Sequence, residues 1–288
     1  MNIKNRILKG HYFRLFLMVT LMSGFFYACS PEKKLAKEFV FEHPKRYAMV
    51  IPPDFLYKYN RNEWLLDSVK GNFTEAQKDS ILWEMSKLVK DIEDSIYILK
   101  FTRGYEYQLA DYGFDVFTPA SIDLFMEKDS EAYVITIPQI EMEETFYPYK
   151  DETVIDGYTY FHQHYLNALS VSTWFEITKV NDTSQNHKVL YAGDIMTDDL
   201  KSSFDYDVAT DQVRYFYQID TLNANDVYQL ALILGKRYAQ YTFDWLMNKY
   251  ILEHKNPGDT LNYYWHYDVK NNKFYHIWDD ENKFIPVE

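Results

Sequence analysis

The chain has 288 residues, and 43 acidic residues against 30 lysines and arginines give it a formal charge of −13. Because phosphate backbones repel so acidic a protein, the composition argues against a nucleic-acid-binding role. Apolar residues at 47% and aromatic residues at 18% are more than a disordered chain carries, so we expect a folded protein.

Residues 1–28 have the pattern of a secretory signal peptide. Four basic and no acidic residues lie in the first fourteen positions, and the next twelve, Leu15–Phe26, are uncharged. A membrane-spanning helix needs about twenty apolar residues, whereas a basic start, a short apolar core and a small residue at the cut are typical of a cleaved export signal. The alternative is a buried amphipathic helix, but no polar stripe interrupts the run. We predict cleavage after Ala28.

The pair Ala28–Cys29 resembles the lipobox of bacterial lipoproteins, in which a small residue precedes an invariant cysteine that becomes the lipidated first residue. Phe26 and Tyr27 differ from the leucine and small residue usual before that pair. As the only cysteine, Cys29 cannot form an intramolecular disulfide. The resemblance implies a diacylglyceryl group and an N-acyl chain such as palmitate on Cys29, which anchor the protein in the cell envelope. We expect the outer membrane, on its periplasmic or its surface face.

Without residues 1–28 the formal charge is −17, from 26 basic and 43 acidic residues. We therefore expect no attraction between the mature chain and anionic lipid head groups, so that the acyl chains alone hold it at the membrane. Residues 29–45 are predicted to be a lipidated tether. Residues 46–288 are predicted to be a single α+β domain, because no repeat or Pro/Gly-rich linker divides them.

Along that domain the sequence pattern predicts the following elements. The strands expected are Arg46–Pro52, 114–119, 131–144, Asn167–Asp182 paired as a hairpin with 187–199, and 212–220. The helices expected are 71–94, capped by Thr74 and Gln77, a short one between Pro119 and Asp129, and Asn223–Ile251, capped by Asn223 with Asp226 at its third position. Residues 95–102 fit either a helix or a strand. Two aromatic strands follow, joined at Asn271–Asn272.

This order predicts an α+β fold, with a mostly antiparallel sheet covered on one face by two long amphipathic helices and followed by a C-terminal aromatic β-hairpin. From Phe114 to Ile251 the succession resembles that of transport-auxiliary lipoproteins, curli-type secretion lipoproteins and the amino-terminal domains of Tol-type translocation proteins. In these a strand such as "AYVITIPQIEMEE" follows a short helix, a long hairpin such as "LSVSTWFEITKVND…HKVLYAGDI" comes next, and a long helix closes the sheet. The resemblance implies an envelope accessory role and transfers no catalytic residue.

Three polar groups are candidates for chemistry, each beside a structural alternative. His162 and His164 fall on one side of an extended segment and fit either a zinc site or an ordinary histidine pair. Glu141 and Glu143 share a strand face and fit either glycoside hydrolysis or an acidic strand end. The aspartates of 194–211 fit either a calcium loop or a solvated acidic loop. We expect no metal and no cofactor, because no phosphate loop, nucleophile elbow or zinc-protease motif is present.

The C-terminal hairpin offers the candidate binding surface, because aromatic rings bind sugars and proteins at low entropic cost. Its residues are Tyr263, Trp265, Tyr267, Tyr275 and Trp278. The alternative is a hairpin that packs these rings onto the core. We predict a non-enzymatic, lipid-anchored accessory protein that supports assembly or transport through a partner protein. The other hypotheses are a glycan- or ligand-binding lipoprotein and, third, a hydrolase using Glu141 and Glu143.

Overall fold

A computed structural model describes residues 31–42, 45–69, 71–128, 131–180, 188–256, 258 and 260–287. The α-helices are α1 (Pro31–Phe41), α2 (Glu75–Met85), α3 (Asp94–Asp111), α4 (Ile122–Met126) and α5 (Ala224–His254). The strands are β1 (Arg46–Ile51), β2 (Tyr57–Asn60), β3 (Phe114–Phe117), β4 (Ala132–Ile155), β5 (Tyr158–Lys179), β6 (Val189–Thr197), β7 (Asp199–Asp207), β8 (Gln212–Asp220), β9 (Tyr264–Asp268), β10 (Lys273–Ile277) and β11 (Ile285–Val287).

The chain divides into two compact units by its internal contacts, and the single domain expected over 46–288 stays a prediction. We call residues 45–243 with 279–287 the sheet unit, and residues 31–42 with 244–278 the helix–hairpin unit. The boundary at Asp244 falls within α5, so this helix contributes residues to both units.

The sheet unit is built on a mostly antiparallel sheet in the order β11-β6-β5-β4-β1-β3, with β2 also paired to β4. Strands β4 and β5 pair from Tyr133–Lys179 to Ile155–Tyr158. Their two-residue turn, Asp156–Gly157, has positive φ at both positions, as the tight turns of hairpins require. The hairpin expected between Asn167–Asp182 and 187–199 is formed by β5 and β6. The predicted α+β class is confirmed.

Two long helices, α3 and α5, pack against each other and against this sheet. They cross at Gly104 and Gly235, where an added Cβ would lie 2.4 Å and 2.1 Å from backbone oxygens of the other helix. Beside the crossing, the rings of Tyr105 and Tyr238 lie 6.0 Å and 5.6 Å from the ring of Phe175 on β5. The absence of side chains at the two glycines thus lets the helices approach closely enough to share one aromatic core.

The helix predicted over 71–94 is wrong in its extent, because α2 ends at Met85 and a new helix, α3, begins at Asp94. In a continuous helix the next N–H groups would bind carbonyls one turn back. Here they bind the buried carboxylate of Glu144 on β4 instead. Its donors are Ser86 Oγ at 2.6 Å and the backbone N–H groups of Lys87 at 3.0 Å, Leu88 at 3.1 Å and Val89 at 3.0 Å. Residues 95–102, which fitted helix or strand, are helical.

Both predicted helix caps are present within the sheet unit. The Thr74 N–H donates to Gln77 Oε1 at 3.0 Å just before α2. At the start of α5, Asn223 Oδ1 accepts from the Asn225 N–H at 3.0 Å, and the Asn223 N–H donates to Asp226 at 3.1 Å. These reciprocal bonds satisfy donors that a helix start leaves free.

The helix–hairpin unit consists of α1, the end of α5 and the β9–β10 hairpin, which turns at the predicted Asn271–Asn272. Residues 31–41 were expected to be tether and are helical instead. The reason is an inward face: Ala36 and Phe39 are buried, and the Phe39 ring lies 5.5 Å from that of Tyr250. Glu32 is buried with them and accepts from Lys255 Nζ at 2.7 Å. Its position beside acidic and basic neighbours had looked like part of a solvated tether.

A second buried carboxylate, Asp244, joins α5 to β9 within this unit. It accepts from the Tyr267 N–H at 3.1 Å, and its other oxygen lies 2.7 Å from His266 Nδ1. Burial raises the pKa of Asp244 to about 6, although His266 opposes this shift. Burial lowers the pKa of His266, but the hydrogen bond to Asp244 together with the negative charges of Asp244 and Asp268 outweighs burial, and the net shift is upward. Both groups therefore hold protons more tightly than in an unfolded chain.

Candidate functional site

The predicted processing site lies outside the described residues. Ala28, Cys29 and the signal segment 1–28 all precede Pro31, the first residue that the structure describes. Cleavage and lipidation therefore stay predictions from the sequence. None of the helices formed by the described residues combines the length and hydropathy needed to cross a bilayer.

The predicted aromatic surface is wrong for two of its five residues. Trp265 is 3% exposed, and its Nε1–H donates to the buried Glu32 carboxylate at 3.1 Å. Tyr267 is also buried, with its ring 6.1 Å from that of Phe41. Alternation along β9 correctly puts both rings on one face, but that face packs against α1 and α5, which the sequence pattern had not paired with it.

Tyr263, Tyr275 and Trp278 are exposed, as a binding surface requires. The Tyr263 ring stacks on that of His276 at 4.2 Å, and the Trp278 ring meets the Tyr263 ring edge-on at 5.4 Å. Trp278 is 74% exposed. These three rings form the exposed aromatic area of the hairpin.

The two histidines lie side by side on β5, with their rings 4.8 Å apart. His164 Nε2 is 2.7 Å from the Tyr215 hydroxyl, which donates to Asp151 at 2.9 Å. Burial, followed by the nearby His162, lowers the pKa of His164 despite the opposing Asp151. No group of three or more His, Cys, Asp or Glu side chains within the described ranges is placed to hold a metal ion. The pair joins β4, β5 and β8 together.

The carboxylates proposed for hydrolysis are both half-buried on β4. Glu143 accepts from Arg61 Nε at 2.7 Å, and Glu141 accepts from Gln139 Nε2 at 3.0 Å. Neither shows the desolvated, unpaired environment that tunes a catalytic acid. The adjacent Glu144, which sequence reasoning passed over, is the buried one. It is held by the four donors named above, which gives it a structural role.

The segment 194–211, expected to be a loop, is instead the end of β6 and the β7 strand with its turn. Its aspartates are dispersed over separate partners rather than facing one point. Asp194 pairs with Arg237, Asp198 accepts from the N–H groups of Asn167 and Leu222, and Asp207 pairs with Arg214. Each carboxylate is thus used singly, and this geometry favours the structural interpretation over a calcium loop.

The most conspicuous exposed surface is one that the sequence analysis missed. Beyond the sheet, β4 and β5 continue as a two-stranded arm, 146–155 with 158–167. One face of this arm packs on the β7–β8 hairpin, where Asp151 accepts from Tyr215 and Ser202. The other face is exposed among the residues that the structure describes. Its members, which we call the ribbon face, are Pro148, Lys150, Glu152, Val154, Thr159, Phe161, Gln163 and Tyr165.

The ribbon face has four apolar or aromatic members among four polar ones, and it is internally neutral. Phe161 and Tyr165 are 63% and 66% exposed. The Lys150 ammonium lies 5.0 Å from the Phe161 ring centre and pairs with Glu152. Past Pro148 the same face continues to Phe146, against which Trp64 packs edge-on at 5.2 Å. An exposed apolar area of this kind marks an interaction site more often than a random surface does.

The arm also has free strand edges. Within the described part of the chain, residues 145–155 pair only with β5, because the β2 pairing ends at Glu144. Residues 158–166 pair only with β4 in this part of the chain, because Asn167 already bonds to Asp198 and the β6 pairing begins at Ala168. Each edge presents backbone groups that can accept another strand. The Asp-Gly pair at 156–157 was the sequence signal for this arm.

No protein-family model matches this chain, and no curated protein matches it.

Proposed function

We propose that this chain is a lipid-anchored, non-enzymatic accessory protein of the cell envelope that binds a partner protein through the ribbon face. The anchor follows from the sequence at Ala28–Cys29, and with it the outer membrane as the location. The observation that carries the docking role is the exposure of Phe161 and Tyr165 on one face of an arm whose other face contacts the β7–β8 hairpin through Asp151. Through that contact the protein supports assembly or transport.

The dimensions of the ribbon face favour a protein partner over a small sugar. From Pro148 to Val154 it runs for about 20 Å, at roughly 3.4 Å per residue. Its rings and Val154 expose on the order of 400 Å² of apolar surface. A stable interface takes about 800 Å² from each side, so the ribbon face has the size of the centre of such an interface. The free edges next to it can add main-chain hydrogen bonds.

Charge indicates the chemistry of the partner. From residue 45 onward, the sheet unit has 19 basic and 36 acidic residues and so carries −17. Lys150 and Glu152 cancel each other on the ribbon face itself. A complementary partner therefore has an apolar patch surrounded by lysines and arginines, because opposite potentials at the rim speed association and exclude other partners.

Photo-crosslinking at defined positions tests this proposal. A photoreactive phenylalanine analogue replaces Phe161 or Tyr165 in producing cells, and Phe216, an exposed ring on the outer side of β8, serves as the matched control position. The protein captured from 161 and 165 is identified, purified and titrated with this chain. Phe161→Ala and Tyr165→Ala should each weaken the measured affinity about tenfold or more, as central aromatic contacts do, while Phe216→Ala should leave it unchanged.

The docking role would be refuted if Phe161→Ala, Tyr165→Ala and Phe216→Ala all lost the same affinity for the partner, or if the first two lost none. The anchor is tested separately by the mass of the Cys29 peptide, with Cys29→Ala as the unlipidated control. Glycan binding by Tyr263, Tyr275 and Trp278 is the alternative, and the exposure of Trp278 favours it. It would appear as sugar binding that is lost in Trp278→Ala and kept in Tyr165→Ala.

A further inference from the structure

The helix–hairpin unit carries a basic, aromatic groove on a chain that is otherwise acidic. A shallow cavity of about 430 Å³ lies between α1 and β10. It is lined by Lys33, Lys37, Phe41, Lys273, Phe274 and Tyr275, together with Asn272. Lys33, Lys37 and Phe41 follow at every fourth position and so lie along one side of α1. We call this surface the basic groove.

The charges of α1 are sorted between its two sides. Glu32 and Glu38 turn inward, where Lys255 Nζ and the Tyr250 hydroxyl donate to them at 2.7 Å and 2.8 Å. Lys33 and Lys37 line the basic groove and, within the described ranges, have no ion-pair partner. The same holds for Lys273 on β10. Glu32 is thus paired with a lysine and Glu38 is hydrogen-bonded to a hydroxyl, while the side of α1 that lines the basic groove carries Lys33 and Lys37.

The overall acidity of the protein does not extend to this unit. From Cys29 onward, residues 29–44 and 244–278 contain seven basic and seven acidic residues. The whole excess of −17 belongs to the sheet unit. The expectation of no attraction between the chain and anionic head groups assumed that the negative charge is evenly spread. Because the excess charge lies in the sheet unit, that assumption does not hold for the helix–hairpin unit.

The basic groove is also close in sequence to the proposed anchor. Helix α1 begins at Pro31, two residues after Cys29. Two residues span at most about 7 Å, so a lipidated Cys29 holds α1 within reach of the head groups. Exposed rings such as Phe41 and Tyr275 suit the boundary between head groups and acyl chains, and lysines suit the phosphates.

We propose that the basic groove lies on the anionic phospholipid surface, with Lys33, Lys37 and Lys273 against head-group phosphates and Phe41 and Tyr275 at the acyl boundary. This inference rests on the proposed lipid anchor and assigns that anchor a second, electrostatic contact. Each lysine near an anionic bilayer strengthens attachment about fivefold, so three strengthen it roughly a hundredfold. The contact weakens at high salt because screening shortens the range of charge interactions.

Amide hydrogen exchange on reconstituted protein tests the inference. The lipidated chain is placed in vesicles of pure phosphatidylcholine and in vesicles with about one-third phosphatidylglycerol. We expect exchange over 31–42 and 268–277 to slow severalfold on the anionic vesicles only, and the difference to vanish in 0.5 M salt. The triple variant Lys33→Glu, Lys37→Glu, Lys273→Glu should lose it. Lys87→Glu, Lys90→Glu, Lys188→Glu, with the same charge change at exposed lysines of the sheet unit, should keep it.

Each outcome separates the groove from the anchor. If Cys29 is acylated but amide exchange over 31–42 and 268–277 is the same on both kinds of vesicle, the anchor is supported and the proposed contact of the groove is refuted. If Cys29 is found to carry no acyl group and the chain still binds anionic vesicles, the groove is supported and the lipid anchor is refuted. If both triple variants lose the slower exchange on anionic vesicles to the same degree, the effect depends only on net charge and the inference is overturned. Slowing by soluble glycerol phosphate to the same degree identifies a free phosphate site and overturns it too.

Discussion

Replacing Glu144 by glutamine should destabilise the sheet unit far more than the same change at its neighbour Glu143. Glu144 is 2% exposed, and three of its four donors reach the same oxygen, Oε2. The fourth, the Lys87 N–H, reaches Oε1. Glu143 lies on the opposite side of β4 and pairs with Arg61 at a half-exposed position.

The expected magnitude follows from counting these bonds. A glutamine oxygen at the Oε2 position keeps three hydrogen bonds but loses the charge, and charge roughly doubles the strength of such bonds. The amide group then faces the Lys87 N–H, so one bond is lost and two donors oppose each other. With about 0.5–1 kcal/mol lost per weakened bond and about 1–3 kcal/mol for the unsatisfied donor, Glu144→Gln should cost roughly 3 kcal/mol. Glu143→Gln should cost about 0–1 kcal/mol.

Urea unfolding followed by far-UV circular dichroism measures both variants under one condition. A loss of 3 kcal/mol corresponds to a fall of about 6–12 °C in the melting temperature for a unit of this size. Hydrogen exchange over 86–92 should accelerate selectively in Glu144→Gln, because the Lys87 N–H loses its acceptor and the other three bonds weaken. If the two variants lost the same stability, or if Glu144→Gln unfolded like the wild type, the carboxylate would not be what interrupts the helix.

Three further predictions concern the helix crossing and the helix–hairpin unit. Trp265→Ala should cost about 3–5 kcal/mol, because it empties a buried site, whereas Trp278→Ala should change the free energy of unfolding by less than about 0.5 kcal/mol; equal effects would contradict the burial of one ring and the exposure of the other. Gly235→Ala should destabilise the sheet unit by about 1–3 kcal/mol in thermal melts; alanine favours an uncrowded helix by about 1 kcal/mol, so a stabilised variant would refute the close crossing. The raised pKa values of Asp244 and His266 make the folded unit bind more protons than the unfolded chain, so its stability should fall as the pH rises from about 4 past 6.5. The difference in stability between the wild type and Asp244→Asn, measured by hydrogen exchange of β9, should therefore change across that range. A constant difference would contradict the raised pKa of Asp244.

Local pattern predicted most of the strands and the end signals of helices. Alternation located β4 and the β5–β6 hairpin, and side-chain caps located the starts of α2 and α5. In each case the deciding signal lies within a few residues along the chain, either in a side-chain cap or in the alternation of side chains along one strand. Such features can be read without knowing what packs against them.

The errors arose where a distant residue decides the local structure. Helix α2 stops because a carboxylate 58 positions later binds Ser86. Trp265 is buried because it meets Glu32, 233 positions earlier. The ribbon face was missed for a different reason. The Asp156–Gly157 pair indicates the turn, but alternation of side chains alone does not tell which face of a hairpin is exposed.

The order in which the chain is made matters for the helix–hairpin unit. Helix α1 emerges first, while the strand that supplies Trp265 follows more than two hundred residues later. Until then Ala36 and Phe39 have no partner from the C-terminal segment, and the entropy of closing so long a loop is still to be overcome. The sheet unit, whose largest hairpin turns at adjacent residues, can form earlier. A nascent chain therefore presents the inward side of α1, with Ala36 and Phe39, without its C-terminal partners for most of synthesis, and this is the stage at which a holding chaperone would act.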